Sequence, residues 1–360
     1  IARVIERHDL SGEEMTDVMQ AIMTGGATPA QIGGFLIGLR MKGESVTEIA
    51  AAAAVMRQLA SGVDIGGLAH TVDIVGTGGD GSGSLNLSTG AALLAAAAGA
   101  RVVKHGNRSV SSLCGSADVL EALGLELPLD EQAAAALLEE CGFTFLFAPY
   151  YHPALKNVGP VRAALGVRTV FNIMGPLVNP AEPGFAVIGA YSPEVAALMA
   201  DTLAGMPLRR AFVIHGEPGW YEATPVVPFM VWDVRSGNVE QSTRDPANYG
   251  IARCSADDLG GGDATVNSRM LGAVLRGEGA KDEAEQALTA AQKAMLTWRD
   301  VDPAERAQYL VKAAALVRER LPGAYLSVSS EVLPSIRFYD RVSTTVLNAY
   351  VGPILSAYLD

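Results

Sequence analysis

Cysteine is scarce in this chain. Three thiols, Cys114, Cys141 and Cys254, are spread over 360 residues with no C-x-x-C pair. That excludes a disulfide framework and points to a reducing, cytoplasmic compartment, with each thiol expected as a small core residue. Basic charge is also short: 27 Lys and Arg stand against 39 Asp and Glu, a net charge of −12. A general nucleic-acid binder needs a basic face, so that class is excluded, while a small cationic pocket for a phosphorylated metabolite is not. Long apolar runs are missing. The most apolar stretch, 90–103, is mostly alanine and is broken by Gly99 and Arg101. It is too short to span a bilayer, and no signal peptide is expected. The first residue is Ile1, so a few further N-terminal residues are expected ahead of it. Internal repeats and low-complexity linkers are absent as well.

What is present begins with glycine. Gly76-Thr77-Gly78-Gly79-Asp80-Gly81-Ser82-Gly83 follows an apolar run, Thr71-Val72-Asp73-Ile74-Val75, that reads as a buried strand. Asn86-Leu87-Ser88-Thr89 then opens an Ala/Leu-rich helix, with Ser88 or Thr89 expected near its N-cap. Strand, glycine loop and helix start together suit a phosphate, because the backbone can approach an anion and free N–H groups point at it. The loop literally fits G-x-G-x-x-G. A dinucleotide fold, however, wants an acid about 20 residues on, at the end of the next strand. Here that strand, Arg101-Val102-Val103, ends in Lys104-His105. There is no G-K-[ST] ending either, which excludes a Walker A loop.

Hydrophobic residues make up 49% of the chain, enough for a sizeable core. Residues 1–67 read as a small helical domain. Ser11-Gly12-Glu13-Glu14, Thr28-Pro29-Ala30-Gln31 and Ser45-Val46-Thr47-Glu48 are capping boxes, each opening an amphipathic run. From 68 onward strand and helix alternate: strands at 71–75, 101–104, 143–147, 185–190, 210–215 and 229–234, with helices near 88–98, 117–124, 130–141, 151–166 and 193–204. This predicts an α/β domain over 68–360 with a mainly parallel central sheet. The part from about 265 reads as mainly helical, to position 322.

Three further stretches carry chemistry. Lys104-His105-Gly106-Asn107-Arg108-Ser109-Val110-Ser111-Ser112 starts where a parallel strand is expected to end. It supplies two cations, an amide and hydroxyls, which suits a multiply charged phosphate ester, and Lys104 is expected to be a solvated cation. Arg162 follows His152 by ten residues, nearly three helical turns, so both are expected to face similar ways. His215-Gly216-Glu217-Pro218-Gly219-Trp220-Tyr221-Glu222 ends a strand, and a carboxylate there suits Mg²⁺ against a diphosphate.

Taken together, Gly76-Thr77-Gly78-Gly79-Asp80, Asn86-Leu87-Ser88-Thr89, the 104–112 loop, Gly115-Ser116-Ala117-Asp118-Val119-Leu120, Tyr151-His152-Pro153-Ala154 and Arg168-Thr169-Val170-Phe171-Asn172-Ile173-Met174-Gly175-Pro176-Leu177-Val178-Asn179-Pro180 resemble the anthranilate phosphoribosyltransferase family. The resemblance runs to about residue 278 and extends more distantly to pyrimidine nucleoside phosphorylases. It implies a small helical domain, to which helices of about 151–178 return, a larger α/β domain, and a homodimer formed through the helical domain. It implies Mg²⁺-dependent transfer of phosphoribose from phosphoribosyl pyrophosphate to the amine of anthranilate, in tryptophan biosynthesis. In the family's pattern Gly76, Thr77, Gly78, Gly79, Asp80, Asn86, Ser88, Thr89, Lys104 and Ser116 hold phosphoribosyl pyrophosphate. Asn107, His152 and Arg162 face anthranilate. Ser88 and Glu222 serve the metal. Lys104, Asn107, His152 and Arg162 make up the electrostatic site, and no residue is assigned as a proton-transferring catalyst. No nucleic acid or membrane partner is implied.

The chain departs from the family in three places. Tyr221-Glu222 stands where the family shows Asp-Glu, and Leu113-Cys114-Gly115 where it shows Lys-Ser-Gly. From about 280 the tail is atypical: 298–321 is loosely similar to an aldehyde dehydrogenase segment and 331–351 to a hydantoinase segment. Two other readings stay open on the residues alone: a non-catalytic relative that binds a phosphorylated ligand, and a nucleoside phosphorylase-like enzyme.

Overall fold

A computed structural model of the chain describes residues 1–65, 70–78, 82–109, 113–217, 219–235, 237–249 and 251–275. The helical tail expected beyond 275 lies outside the described residues.

Four helices open the chain, Ala2–Ile5, Gly12–Met23, Pro29–Lys42 and Val46–Gln58. The last three start at the expected capping boxes, with the side chains of Ser11, Thr28 and Ser45 accepting from the N–H groups of Glu14, Gln31 and Glu48. Each such N-cap is worth about 1 kcal/mol. Glu48 does more than cap. Fully buried, it accepts from the Leu10 N–H at 2.9 Å and from Lys42 Nζ at 2.9 Å, stitching three parts of the bundle together.

The sheet has seven strands: β1 (Thr71–Gly76), β2 (Arg101–Gly106), β3 (Phe143–Phe147), β4 (Phe185–Gly189), β5 (Arg210–Gly216), β6 (Phe229–Arg235) and β7 (Asn238–Arg244). Their order is β3-β2-β1-β4-β5-β6-β7. The first five are mutually parallel and the last two antiparallel. The expected mainly parallel sheet is therefore present. β7 is an addition to the expected strands: Asn238-Val239-Glu240-Gln241-Ser242-Thr243-Arg244 shows no apolar alternation. As an edge strand it is held by its hydrogen-bond ladder to β6 rather than by a buried face.

Each sheet face has its own core. On one side Val72, Ile74, Val102, Phe145 and Phe212 pack against the alanine-rich helix Leu87–Ala97 and the helix Ala264–Leu275. On the other, Val75, Ile188, Val213 and Trp232 pack with the helices Pro193–Ala204 and Val170–Met174 and with the four N-terminal helices. The chain leaves β1 toward β2 and β3, then returns to β4 and runs the opposite way. The crevice at the carboxyl ends of β1 and β4 is thus a topological switch point, where open α/β sheets bind ligands.

One local expectation fails. The single helix expected over 151–166 is three pieces, Ala148–Tyr151, a 3₁₀ turn Pro153–Asn157 and Gly159–Leu165. Pro153 and Pro160 lack the N–H that would carry a helix through, so His152 and Arg162 lie on different elements and the three-turn argument does not apply. The N-cap of the helix Leu87–Ala97 is Asn86, with Ser88 and Thr89 in its first turn, near the cap as expected.

Candidate active site

The glycine loop sits at the switch point. β1 ends at Gly76, and the Thr77 N–H donates to the Gly189 carbonyl at 2.9 Å, tying the loop to the end of β4. Gly78 has φ +71°, which glycine adopts without strain. Gly79 and Asp80 lie outside the described residues. Asn86 heads the next helix, but its side chain faces away from a capping role. Its Nδ2 donates to the Cys114 carbonyl at 3.0 Å and its Oδ1 accepts from Asn267 at 2.8 Å. Ser88, half-buried, and Thr89 occupy the first turn, and their N–H groups find no acceptor among the described residues. The hydroxyls of Thr77 and Thr89 are buried and unpartnered. Such orphaned donors at a helix start are what an incoming phosphate satisfies.

Lys104 corrects an expectation. It lies within β2, 2% exposed, and its ammonium donates to the Ile74 carbonyl. Burial pushes its pKa down while the carboxylates of Asp73 and Glu222 pull it back up. Asp73 is raised by burial, opposed by Lys104 and by a hydrogen bond from Asn179. The strand runs past the position where it was expected to end, which is why the cation is interior rather than solvated. Arg108, the other cation of this loop, is committed to Asp118 and Glu121, the latter at 2.7 Å through Nη2. Asn107 is exposed; its carbonyl accepts from Ser116 Oγ at 3.3 Å and from the Ala117 N–H at 3.2 Å. Asp118 closes the loop by accepting from the N–H groups of Gly115 at 2.8 Å and Ser109 at 3.1 Å. A side chain at Gly115 would overlap the backbone at Ser109, so only glycine fits there. The 110–112 part of this loop lies outside the described residues.

His152 is 2% exposed and meets His105 edge-on, ring centroids 5.1 Å apart. His105 Nδ1 lies 3.2 Å from the Gly175 carbonyl, which assigns the proton to Nδ1. Burial, with His152 alongside, pushes the His105 pKa down to about 3, and burial lowers that of His152 as well. Both rings are therefore neutral near pH 7. Arg162 is half-buried, its guanidinium 5.2 Å from the Phe171 ring centroid. Burial alone lowers its pKa; among the described residues no carboxylate pairs with it. His152 thus lies beside Val178 and meets His105, which bonds Gly175, and Arg162 lies over Phe171, so both border the 170–178 stretch despite lying on separate elements.

After β5, Gly216 and Trp220 exchange backbone hydrogen bonds at 2.8 and 2.7 Å. This tight loop drops Tyr221 onto Gly76 and Gly189, and places Glu222 at 2% exposure. Among the described residues no group of three His, Cys, Asp or Glu side chains is placed to hold a metal. A buried carboxylate such as Glu222 fits Mg²⁺, which commonly takes one carboxylate and completes its shell with substrate phosphates and water.

Known proteins similar to this chain identify its family and fold. Residues 1–60 match the glycosyl transferase family helical bundle domain and residues 68–319 the glycosyl transferase family a/b domain. Anthranilate phosphoribosyltransferase from Laribacter hongkongensis is 48% identical over 273 residues, 76% of this chain and 80% of that one. The chain belongs to the anthranilate phosphoribosyltransferase family. The crystal structure of anthranilate phosphoribosyltransferase from Thermus thermophilus superimposes with a TM-score of 0.75 at 38% identity, covering 98% of both chains. The Saccharomyces cerevisiae enzyme, in complex with PRPP and Mg, shares the fold at 23% identity and a TM-score of 0.72, covering 96% and 94%. The family resemblance read from the motifs is borne out, as is the fold of a helical domain joined to an α/β domain. The a/b match continues to 319, past the position near 278 at which the motif resemblance ends.

Two residues that build the site escape a reading of the sequence. Asp73 is an acid inside an apolar strand, which is a visible signal, and Asn179 lies in a quoted motif without an assigned role. They meet at 2.9 Å, from residues 106 apart in sequence.

Proposed function

We propose that this chain transfers phosphoribose from phosphoribosyl pyrophosphate to the amine of anthranilate, giving phosphoribosylanthranilate and pyrophosphate. The observation that carries the reading is the pair of buried, unpartnered hydroxyls, Thr77 and Thr89, flanking a glycine loop and a helix start at the β1/β4 switch point. That arrangement fits a diphosphate. As the bond from the ribose carbon to pyrophosphate breaks, negative charge grows on the leaving oxygens. The Lys104 ammonium and the Ser88 and Thr89 N–H groups stabilise it electrostatically. Ser88 and Glu222 would hold Mg²⁺; the ion, when bound, supplies further neutralisation of the diphosphate. Gly76, Gly78 and Gly79, having no side chain, suit a close approach of backbone to phosphate, and the family's pattern adds Thr77, Asp80, Asn86 and Ser116 to the same site.

On the acceptor side, Arg162 has a guanidinium without a carboxylate partner among the described residues, which suits the carboxylate of anthranilate. The aromatic amine is neutral at working pH, so the transfer demands no strong base. A neutral His152 orients the acceptor, and Asn107 reaches it from the loop beside Ser116. Ile1, Ile5, Met41 and Val46, all exposed and all on the N-terminal helices or at their edge, suit a homodimer formed through the helical domain. A cytoplasmic location accords with the free thiols, and among the described residues no helix is long and apolar enough to cross a membrane.

Loss of anthranilate fluorescence on mixing with phosphoribosyl pyrophosphate, Mg²⁺ and the protein tests the reading. Tight ligand binding without turnover would favour a non-catalytic relative, and release of a free base from a nucleoside and phosphate would favour the phosphorylase chemistry. The named relatives favour neither alternative.

A further inference from the structure

β1 and β2 are in ladder register at two positions, Thr71 with Arg101 and Val72 with Val102. Their other neighbours pair over five positions each. Beyond Val72 the strands stay side by side, but the ladder register ends and side chains supply bonds. Asn179 Nδ2 donates to the Val103 carbonyl at 2.8 Å and to Asp73 Oδ2 at 2.9 Å. The His105 N–H donates to Asp73 Oδ1 at 3.2 Å, and the Lys104 ammonium donates to the Ile74 carbonyl. Asn179 Oδ1 accepts from the Ala181 N–H at 2.9 Å, which fixes the amide so that its nitrogen faces both acceptors. Asp73, Lys104 and Asn179 are 1%, 2% and 5% exposed.

A closed ladder with apolar side chains would be the more stable way to join two parallel strands. Buried ion pairs rarely exceed, in stability, the hydrophobic packing that replaces them. The polar cluster is therefore better explained by what it does to Lys104. A lysine stem has four rotatable carbons, and an ammonium on it is a poorly localised charge. Here one of its three N–H bonds is fixed on Ile74, and the Asp73 carboxylate, on the neighbouring strand, offsets the cost of burying it. Glu222, from the loop after β5, is the other carboxylate whose charge reaches it.

We propose that Asp73 is a positioning residue for the transfer: with Asn179 it braces the β2 backbone on both sides of Lys104, at Val103 and His105, and so keeps the Lys104 ammonium at a fixed place against β1. The inference rests on the proposed function and extends it to two residues that do not touch substrate.

A double-mutant cycle tests it, with affinity for phosphoribosyl pyrophosphate measured by calorimetry on the full chain. Asp73→Asn weakens binding by about tenfold or more, the scale of a charge-assisted hydrogen bond, and leaves anthranilate affinity unchanged. In a Lys104→Met background the same substitution has little further effect, because Asp73 acts through Lys104. Asn179→Ala, which removes the clamp without changing charge, behaves the same way and serves should Asp73→Asn fail to fold. KM for phosphoribosyl pyrophosphate rises in both single variants while KM for anthranilate holds. Additive losses in the cycle, or equal losses for both substrates, overturn the inference and leave the proposed function standing. No binding of phosphoribosyl pyrophosphate by the unmodified chain overturns both.

Discussion

The ring of Tyr221 lies on Gly76: a methyl group added to that glycine would come within 2.6 Å of the ring's Cδ2. Its backbone is as close to Gly189, where a side chain would overlap the Tyr221 carbonyl oxygen. An aromatic ring thus forms a wall of the loop at the position where the resemblance places a carboxylate. A phenol, with a pKa of about 10, is a poor Mg²⁺ ligand at neutral pH. Tyr221→Asp is expected to lower the Mg²⁺ concentration for half-maximal activity, and Glu222→Gln to abolish nearly all activity. A Mg²⁺ titration of the three proteins decides this. An unchanged midpoint in Tyr221→Asp would show that the side chain at 221 does not reach the metal.

Removing Lys104 is expected to affect stability as well as binding. Lys104→Met leaves Asp73 and Glu222 buried without their cation, a loss of about 3 kcal/mol or more near pH 7, where Lys104, lowered to about 8, is still charged. The loss shrinks toward about pH 5, because Asp73, already raised by burial, then takes up a proton. Urea unfolding at the two pH values measures it. A pH-independent difference would mean that Asp73 is not the group left unpaired.

Arg162→Ala is expected to cost affinity for anthranilate by about tenfold or more while leaving that for phosphoribosyl pyrophosphate unchanged. Separate calorimetric titrations resolve the two. Equal losses would assign Arg162 to holding the helix Gly159–Leu165 against Phe171.

His105 makes stability depend on pH in a definite direction. Its folded pKa, about 3, lies below its ordinary value of 6.5. The neutral ring's contribution is fully present above 6.5. It is lost as the pH falls from there toward 3, because the unfolded chain takes a proton that the folded one refuses. The slope is about 1.4 kcal/mol per pH unit within that window. Wild type and His105→Gln, unfolded in urea at a series of pH values, should converge as the pH falls. Parallel curves would place a charged or solvated ring at 105.

What is legible in the sequence is local or periodic. Ser11, Thr28 and Ser45 announce their helices because a capping box closes within three residues. Alternating strands and helices announce a parallel sheet because each crossover needs its own helix. The burial of Lys104 is not legible, since it depends on where the β1–β2 ladder ends and on Asn179, far along the chain. Asn86 shows the same limit: it reads as a phosphate ligand, yet its side chain reaches Asn267, 181 residues away. The broken 148–165 segment misleads because Pro153 suits a helix start as well as it suits an interruption, and only the packing of the neighbouring elements distinguishes the two.

The apolar cluster that runs from Val4 and Met15 through Met174 to Val213 and Trp232 crosses the border between the two matched regions. A boundary drawn at residue 60 therefore cuts through an interior, not along a surface. Helical bundle and sheet face dehydrate each other, so heating should melt them in one cooperative transition with a single calorimetric endotherm. Severed, each half would present the other's footprint to water and self-associate through it. Two matched regions and one folding unit are compatible here, because the seam itself is core.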